Sequence, residues 1–261
     1  MMVSRTRRRR KLRIRCLRVR LTTVYYAMQM STRMLILETS HRVAKVALAL
    51  DDTIVGERTL DEQRRHARDL VPAIQRLLQA QTWRARELDA VIVSRGPGSY
   101  TGLRVGIMSA KTLVFASGCA LLAIDTFDAI ATCGLALMNS ASAKPQAANL
   151  DVIADAQQGN VYAQRFGTRP EPLLIVSFDK WLESARACNV AVAGPGLETF
   201  GERVHGVNVL PKDAWHSEPA SLLKLGLERF RKGERDEPFA VEPLYLRASS
   251  AEVKWDNLKK G

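Results

Sequence analysis

Two stretches of the chain follow one plan, and this repetition limits the possible folds more than any other feature. Residues 34–50 read MLILETSHRVAKVALAL and residues 150–166 read LDVIADAQQGNVYAQRF. In each, an apolar run ends on a carboxylate, Glu38 or Asp155, and a short polar turn leads into a second run. That is the signature of strand, turn, strand. Acids at strand ends are common, so coincidence and internal duplication both remain open from this pair alone.

The rest of the chain reads as alternating strands and helices. TIVGERTL follows the Asp51-Asp52 turn and completes an antiparallel meander of three strands. Between His66 and Gln81, Leu70, Ile74, Leu77 and Leu78 recur at i, i+4, i+7 and i+8, one apolar helix stripe, with Pro72 in an early turn or at a bend. LDAVIVSR is a buried strand, and a helix from about Leu103 to Ser117 closes at Gly118. ALLAIDTF predicts a strand and Asp128 to Met138 an apolar helix. SFDKWLESAR predicts a capped helix, NVAVAGPG a strand and glycine turn, SEPASLLKLGLERFRKG another helix, and VEPLYLRASSAEVKW an extended end. The polar, small-residue stretch NSASAKPQAAN is the best boundary. The expected division is a basic extension at 1–33, a first lobe at 34–140, a second at 141–248 and a tail at 249–261.

Net charge is +12, but residues 1–33 hold ten Arg and one Lys with no acid, which leaves 39 − 11 = 28 basic against 27 acidic residues elsewhere. The body is nearly neutral, so the charge is weak support for a nucleic-acid face. The Arg-rich extension fits an organelle-targeting segment, a nucleic-acid arm or upstream sequence read from a misplaced start. The last is favoured, with Met30 or Met34 as the working start. It contains no apolar run long enough for a signal-peptide core or a membrane span. Cys16, Cys119, Cys133 and Cys188 show no CxxC spacing, which suits a reducing cytoplasm. His41, His66, His205 and His216 include no pair at i, i+3 or i, i+4, so a helix-borne two-histidine metal site is excluded and no metal is expected.

The segment Gly96-Pro97-Gly98-Ser99-Tyr100-Thr101-Gly102-Leu103-Arg104 is a glycine-rich strand-to-helix turn, a shape that can cradle anions. A Walker loop would need Lys and Ser or Thr after Gly102, a dinucleotide fingerprint Gly at 101, and a nucleophile elbow around Ser99 Gly at 97 and 101. None is present. Gly102, Gly106 and Ala110 form a small-residue stripe that lets another element approach closely; packing on the chain's own sheet is the plain reading and docking of a partner the functional one.

SRGPGSYTGLRVG, from Ser94 to Gly106, resembles the hallmark of the TsaB (YeaZ) family. LILETS, His66 ahead of LVP, ADAQQGNVYAQRF and VEPLYLR extend the resemblance over about residues 34–248. It implies the two-lobed α/β fold of the actin, sugar kinase and Hsp70 (ASKHA) group with a degenerate active site. It further implies a non-catalytic subunit of the machinery for tRNA threonylcarbamoyladenosine, which supports a metal-containing TsaD subunit, together with the ATPase TsaE, in modifying the adenosine next to the anticodon. ATP and metal are then expected on the partner subunits and none on this chain. The implied docking face is the two first-lobe helices, with Leu70, Ile74, Leu77, Leu78, Gly102, Arg104, Gly106, Ile107, Ala110 and Lys111. A homodimer is an option for the isolated chain, tRNA is reached through the complex, and no membrane is involved.

Two departures stand out. Glu38 replaces the family's usual Asp, and residues 1–33 have no counterpart. An active phosphotransferase of this fold needs glycine beside each strand-end acid and a carboxylate for Mg²⁺. Thr39-Ser40-His41 and Ala156-Gln157-Gln158 occupy the places where glycine is required. The alternative readings are a self-sufficient kinase or ATPase and, more remotely, a peptidase.

Overall fold

A computed structural model of the protein describes residues 31–60, 66–140 and 149–246. The basic extension, apart from its last residues, lies outside this set, as do the tail 249–261 and most of the boundary stretch 139–149. The first strand begins inside the expected extension. β1 spans Arg33–Glu38, and the Arg33 N–H donates to Asp89 Oδ2 at 2.7 Å.

β1 pairs antiparallel with β2 (Lys45–Leu50), which pairs antiparallel with β3 (Thr53–Thr59). After α1 (His66–Ala80), β4 (Ala90–Gly96) lies parallel to β1. α2 (Tyr100–Ser117) and then β5 (Ala120–Asp125), parallel to β4, complete a sheet of order β3-β2-β1-β4-β5. α2 starts ahead of the expected Leu103 because the Ser99 side chain caps it, accepting from Gly102 N–H. It ends as expected at Gly118, whose φ of 76° is the left-handed value of a helix C-cap.

α3 (Thr126–Ser140) leads to the second sheet: β6 (Leu150–Asp155), β7 (Asn160–Phe166), β8 (Leu174–Ser177), α4 (Phe178–Ala187), β9 (Ala191–Ala193), the short α5 (Gly196–Phe200), β10 (Asn208–Val209) and finally α6 (Pro219–Arg231). The second sheet has order β10-β9-β6-β7-β8. Read from its other edge, this is the first sheet's order with every strand number raised by five, and the parallel and antiparallel pairings match too. The two 17-residue stretches are therefore corresponding hairpins, β1–β2 and β6–β7. The correspondence reaches the corner after the fourth strand of each sheet, where Gly96-Pro97-Gly98 and Gly194-Pro195-Gly196 stand, with φ of 114° at Gly96 and 112° at Gly194.

Each sheet buries both faces. α1 and α2 cover one face of the first sheet: Leu70, Ile74, Leu77, Leu78, Ile107, Ala110 and Val114 pack on Leu35, Leu37, Val46, Leu48, Val91 and Val93. The other face is covered by α6, through Leu222, Leu223 and Leu227 against Met34, Ile36, Ala90 and Ile92. Thus a helix from the end of the chain seals the first lobe. Conversely, α3 turns Phe127, Ile130 and Ala131 onto Leu150, Val152 and Ala191 of the second sheet. A boundary near residue 140 separates the strands of the two sheets, but the helices cross it. Burying each such leucine contributes about 2 kcal/mol, so both crossings bind the lobes firmly. Among the described residues, no helix is long and apolar enough to cross a membrane.

Candidate functional site

The glycine-rich turn that dominates the sequence is a packing device. Its stripe faces the β1–β2 turn: a Cβ at Gly98 would strike the Ser40 backbone, one at Gly102 the Thr39 carbonyl oxygen, and one at Gly106 the Thr39 side chain. Two of its donors are engaged within the chain. The Ser99 N–H bonds the Ser40 carbonyl at 2.7 Å and the Gly102 N–H bonds Ser99 Oγ at 3.2 Å. The stripe therefore brings α2 close to the chain's own β1–β2 turn.

This corrects the expected docking residues. Leu70, Ile74, Leu77, Leu78, Gly102, Gly106, Ile107 and Ala110 are all buried within the chain, Lys111 is part-exposed, and of the ten only Arg104 is exposed. A stripe at helical spacing marks what a helix buries first, and here the partner is the sheet beneath it. Apolar residues off the stripe face outward: Val71 is 49% exposed, Met108 60% and Phe115 82%. Val71 and Met108 border a groove of about 390 Å³ between α1 and α2, floored by Ile74, Leu78 and Leu113. Met108 and Phe115 lie seven residues apart on one face of α2, so their signal in the sequence is a second, shorter apolar stripe beside the buried one.

Arg104 lies in a second cluster. Its guanidinium sits 4.2 Å from the Tyr100 ring centre, its Nε donates to the Tyr245 hydroxyl at 3.0 Å, and the two tyrosine rings stack at 4.7 Å. The Leu244 N–H donates to the Arg95 carbonyl at 2.9 Å, holding the VEPLYL segment against the glycine turn.

The paired strand-end acids differ. Glu38 is 1% exposed, and its Oε1 accepts from the Ser40 N–H at 2.7 Å and the Ser40 hydroxyl at 2.5 Å. Burial pushes its carboxyl above the usual range, and the surrounding hydroxyls oppose that push. Asp155 is exposed and accepts the Gln157 N–H at 2.6 Å. Each caps its own turn. Glu38 is sealed beneath that turn, so a Mg²⁺ or phosphate group in the cleft could not reach it without repacking.

One cluster escaped the sequence reading, which expected no metal ligands. His41 on the β1–β2 turn, Glu198 on α5 and His216 ahead of α6 converge between the lobes. His216 Nε2 lies 3.1 Å from Glu198 Oε1 and His41 Nε2 3.6 Å from Glu198 Oε2, with the imidazole centres 3.8 Å apart. Burial, with His216 nearby, lowers the His41 pKa. Local spacing could not reveal ligands drawn from three distant segments.

Known proteins share this architecture. The chain is 26% identical to the tRNA threonylcarbamoyladenosine biosynthesis protein TsaB of Bacillus subtilis, over 87% of this chain and 99% of that one. It is also 26% identical to the Haemophilus influenzae protein of the same name, over 86% of this chain and 96% of that one. The similarity to TsaB (YeaZ) proteins thus runs over most of the chain. The family model described as TsaD, tRNA N6-adenosine threonylcarbamoyltransferase, matches residues 53–180. YeaZ from Pseudomonas aeruginosa superposes with a TM-score of 0.66 at 23% identity, over 82% of this chain and all of that one, which establishes the shared fold. That fold is an α/β architecture of two mixed five-stranded sheets of matching strand order. The outer faces of α1 and α2 and the cluster of His41, Glu198 and His216 are the two candidate surfaces.

Proposed function

We propose that the chain serves tRNA threonylcarbamoyladenosine biosynthesis in the cytoplasm as a non-catalytic subunit, docking a TsaD-type catalytic subunit on the outer face of α1 and α2. The observation that carries this reading is the exposure of Val71, Met108 and Phe115 beside an apolar groove on those two helices. Apolar side chains grouped on a helix pair are what a helical partner buries. The sealing of Glu38 supports a subunit that leaves the nucleotide, the catalytic metal and most tRNA contact to its partners, TsaD and the TsaE-type ATPase. The isolated chain can use the same face to homodimerise.

The test is co-purification and calorimetry with the TsaD-type subunit. Phe115→Glu and Met108→Glu should weaken binding at least ~30-fold, as loss of a hot spot of about 2 kcal/mol does, with Tm unchanged. Ile107→Glu is unsuitable because Ile107 is core. An intact complex with the Phe115→Glu, Met108→Glu double variant rules out this face. Robust ATP turnover by the purified chain alone rules out the non-catalytic role.

A further inference from the structure

We propose that His41, Glu198 and His216 form a binding site for one divalent transition-metal ion of the zinc class, which fastens the two lobes across the cleft. Metal–nitrogen and metal–oxygen bonds near 2.0–2.2 Å place tetrahedral ligand atoms about 3.4 Å apart. The two contacts to the carboxylate, 3.1 Å and 3.6 Å, bracket that separation, and all the candidate donor atoms lie within 4.8 Å of one another. The set therefore closes around an ion with side-chain adjustments of up to roughly an ångström. Two imidazoles and one carboxylate select zinc, cobalt or nickel over magnesium or calcium, whose preference is for oxygen alone.

Two further observations concern the imidazoles themselves. The imidazole rings are in contact, and two protonated rings at that distance would repel, whereas two neutral rings sharing a cation do not. His216 Nε2, 3.1 Å from Glu198 Oε1, is the ring nitrogen placed to bind, while Nδ1 is buried with no hydrogen-bond partner. Glu198 keeps 47% of its side chain exposed, which gives an entry path and leaves a fourth position for water. The three ligands come from the first sheet's hairpin, the second lobe's α5, and the segment leading into the helix that returns to the first sheet, so the ion would hold the lobes together and need not act on substrate.

The full chain, stripped with chelator, is titrated with Zn²⁺ against a chromophoric competitor and with Co²⁺ while the visible d–d bands are recorded. One equivalent bound at micromolar or tighter affinity is expected, with cobalt bands typical of nitrogen and oxygen ligation and a rise in Tm on loading. His41→Ala and His216→Ala should each weaken binding by more than the roughly 10–100-fold that loss of a supporting group costs. Glu198→Gln, at an exposed position, serves as the variant least able to disturb folding, while His205→Ala should bind as the parent does. Failure of the parent chain to bind one equivalent overturns the proposal, as does unchanged affinity in the His41→Ala, His216→Ala double variant.

Discussion

In the first lobe, the Gly96–Gly98 corner opens into an 18-residue helix, whereas the matching Gly194–Gly196 corner of the second opens into a helix of five residues. Strand order and pairing are otherwise the same in both sheets. The long helix exposes Met108 and Phe115 on its outer side. The short one stops at the cleft and presents Glu198 to the two histidines. One sheet plan thus yields an outward-facing surface in one half and a ligand-bearing rim in the other, with helix length as the variable.

The sharpest way to break this comparison is at the two corners. Gly96→Ala and Gly194→Ala impose the same backbone strain, about 1–3 kcal/mol for a side chain at such a φ. At Gly96 the new Cβ meets the flexible end of Leu103 at 2.9 Å, while at Gly194 it meets the backbone of Ile153. Gly194→Ala should therefore be the more destabilising, by a further ~1–3 kcal/mol of overpacking, as read by denaturant unfolding. Equal losses would mean that the two corners are packed alike.

The strand-end acids give the next contrast. Glu38→Ala strands two buried donors of Ser40 and should cost about 2 kcal/mol, whereas Asp155→Ala, at an exposed turn, should stay within ~0.5 kcal/mol. Comparable Tm values for the two variants would contradict the burial difference.

The smallest effect concerns the crossing helices. α3 carries Asp128 in its first turn and α6 carries no acid there. Burial, reinforced by Asp125 and opposed by Arg95, pushes Asp128 up to about 6. The folded chain therefore keeps a proton that the unfolded chain has released, and stability falls as pH rises from about 4 to about 6. The fall should be about 1 kcal/mol once solvent screening of this part-exposed group is discounted. Asp128→Asn should flatten that slope in thermal melts, while changes on α6 should not.

Strands and helices were legible because hydrophobic period is local. MLILE, LDAVIVSR and the Leu70–Leu78 stripe each announced their element, but the short β8 and β10 carried too few residues to do so. The stripe on α1 and the glycines of α2 told which side is buried without telling what buries it. A partner and the chain's own sheet demand the same spacing, and the sheet took the regular positions. The apolar residues left exposed on these helices include Val71, Met108 and Phe115. The exchange of α3 and α6 between sheets, and the meeting of His41 with Glu198 and His216, depend on chain return over long separations, which no local pattern encodes.

Because α6 closes the first sheet and α3 lies beneath the second, severing the chain near residue 140 would strip each fragment of a helix or leave a helix without its sheet. Neither piece should fold alone, yet the two expressed together hold complementary bare faces. The architecture is thus suited to split-protein reconstitution, in which recovery of the native fold reports that both halves have met.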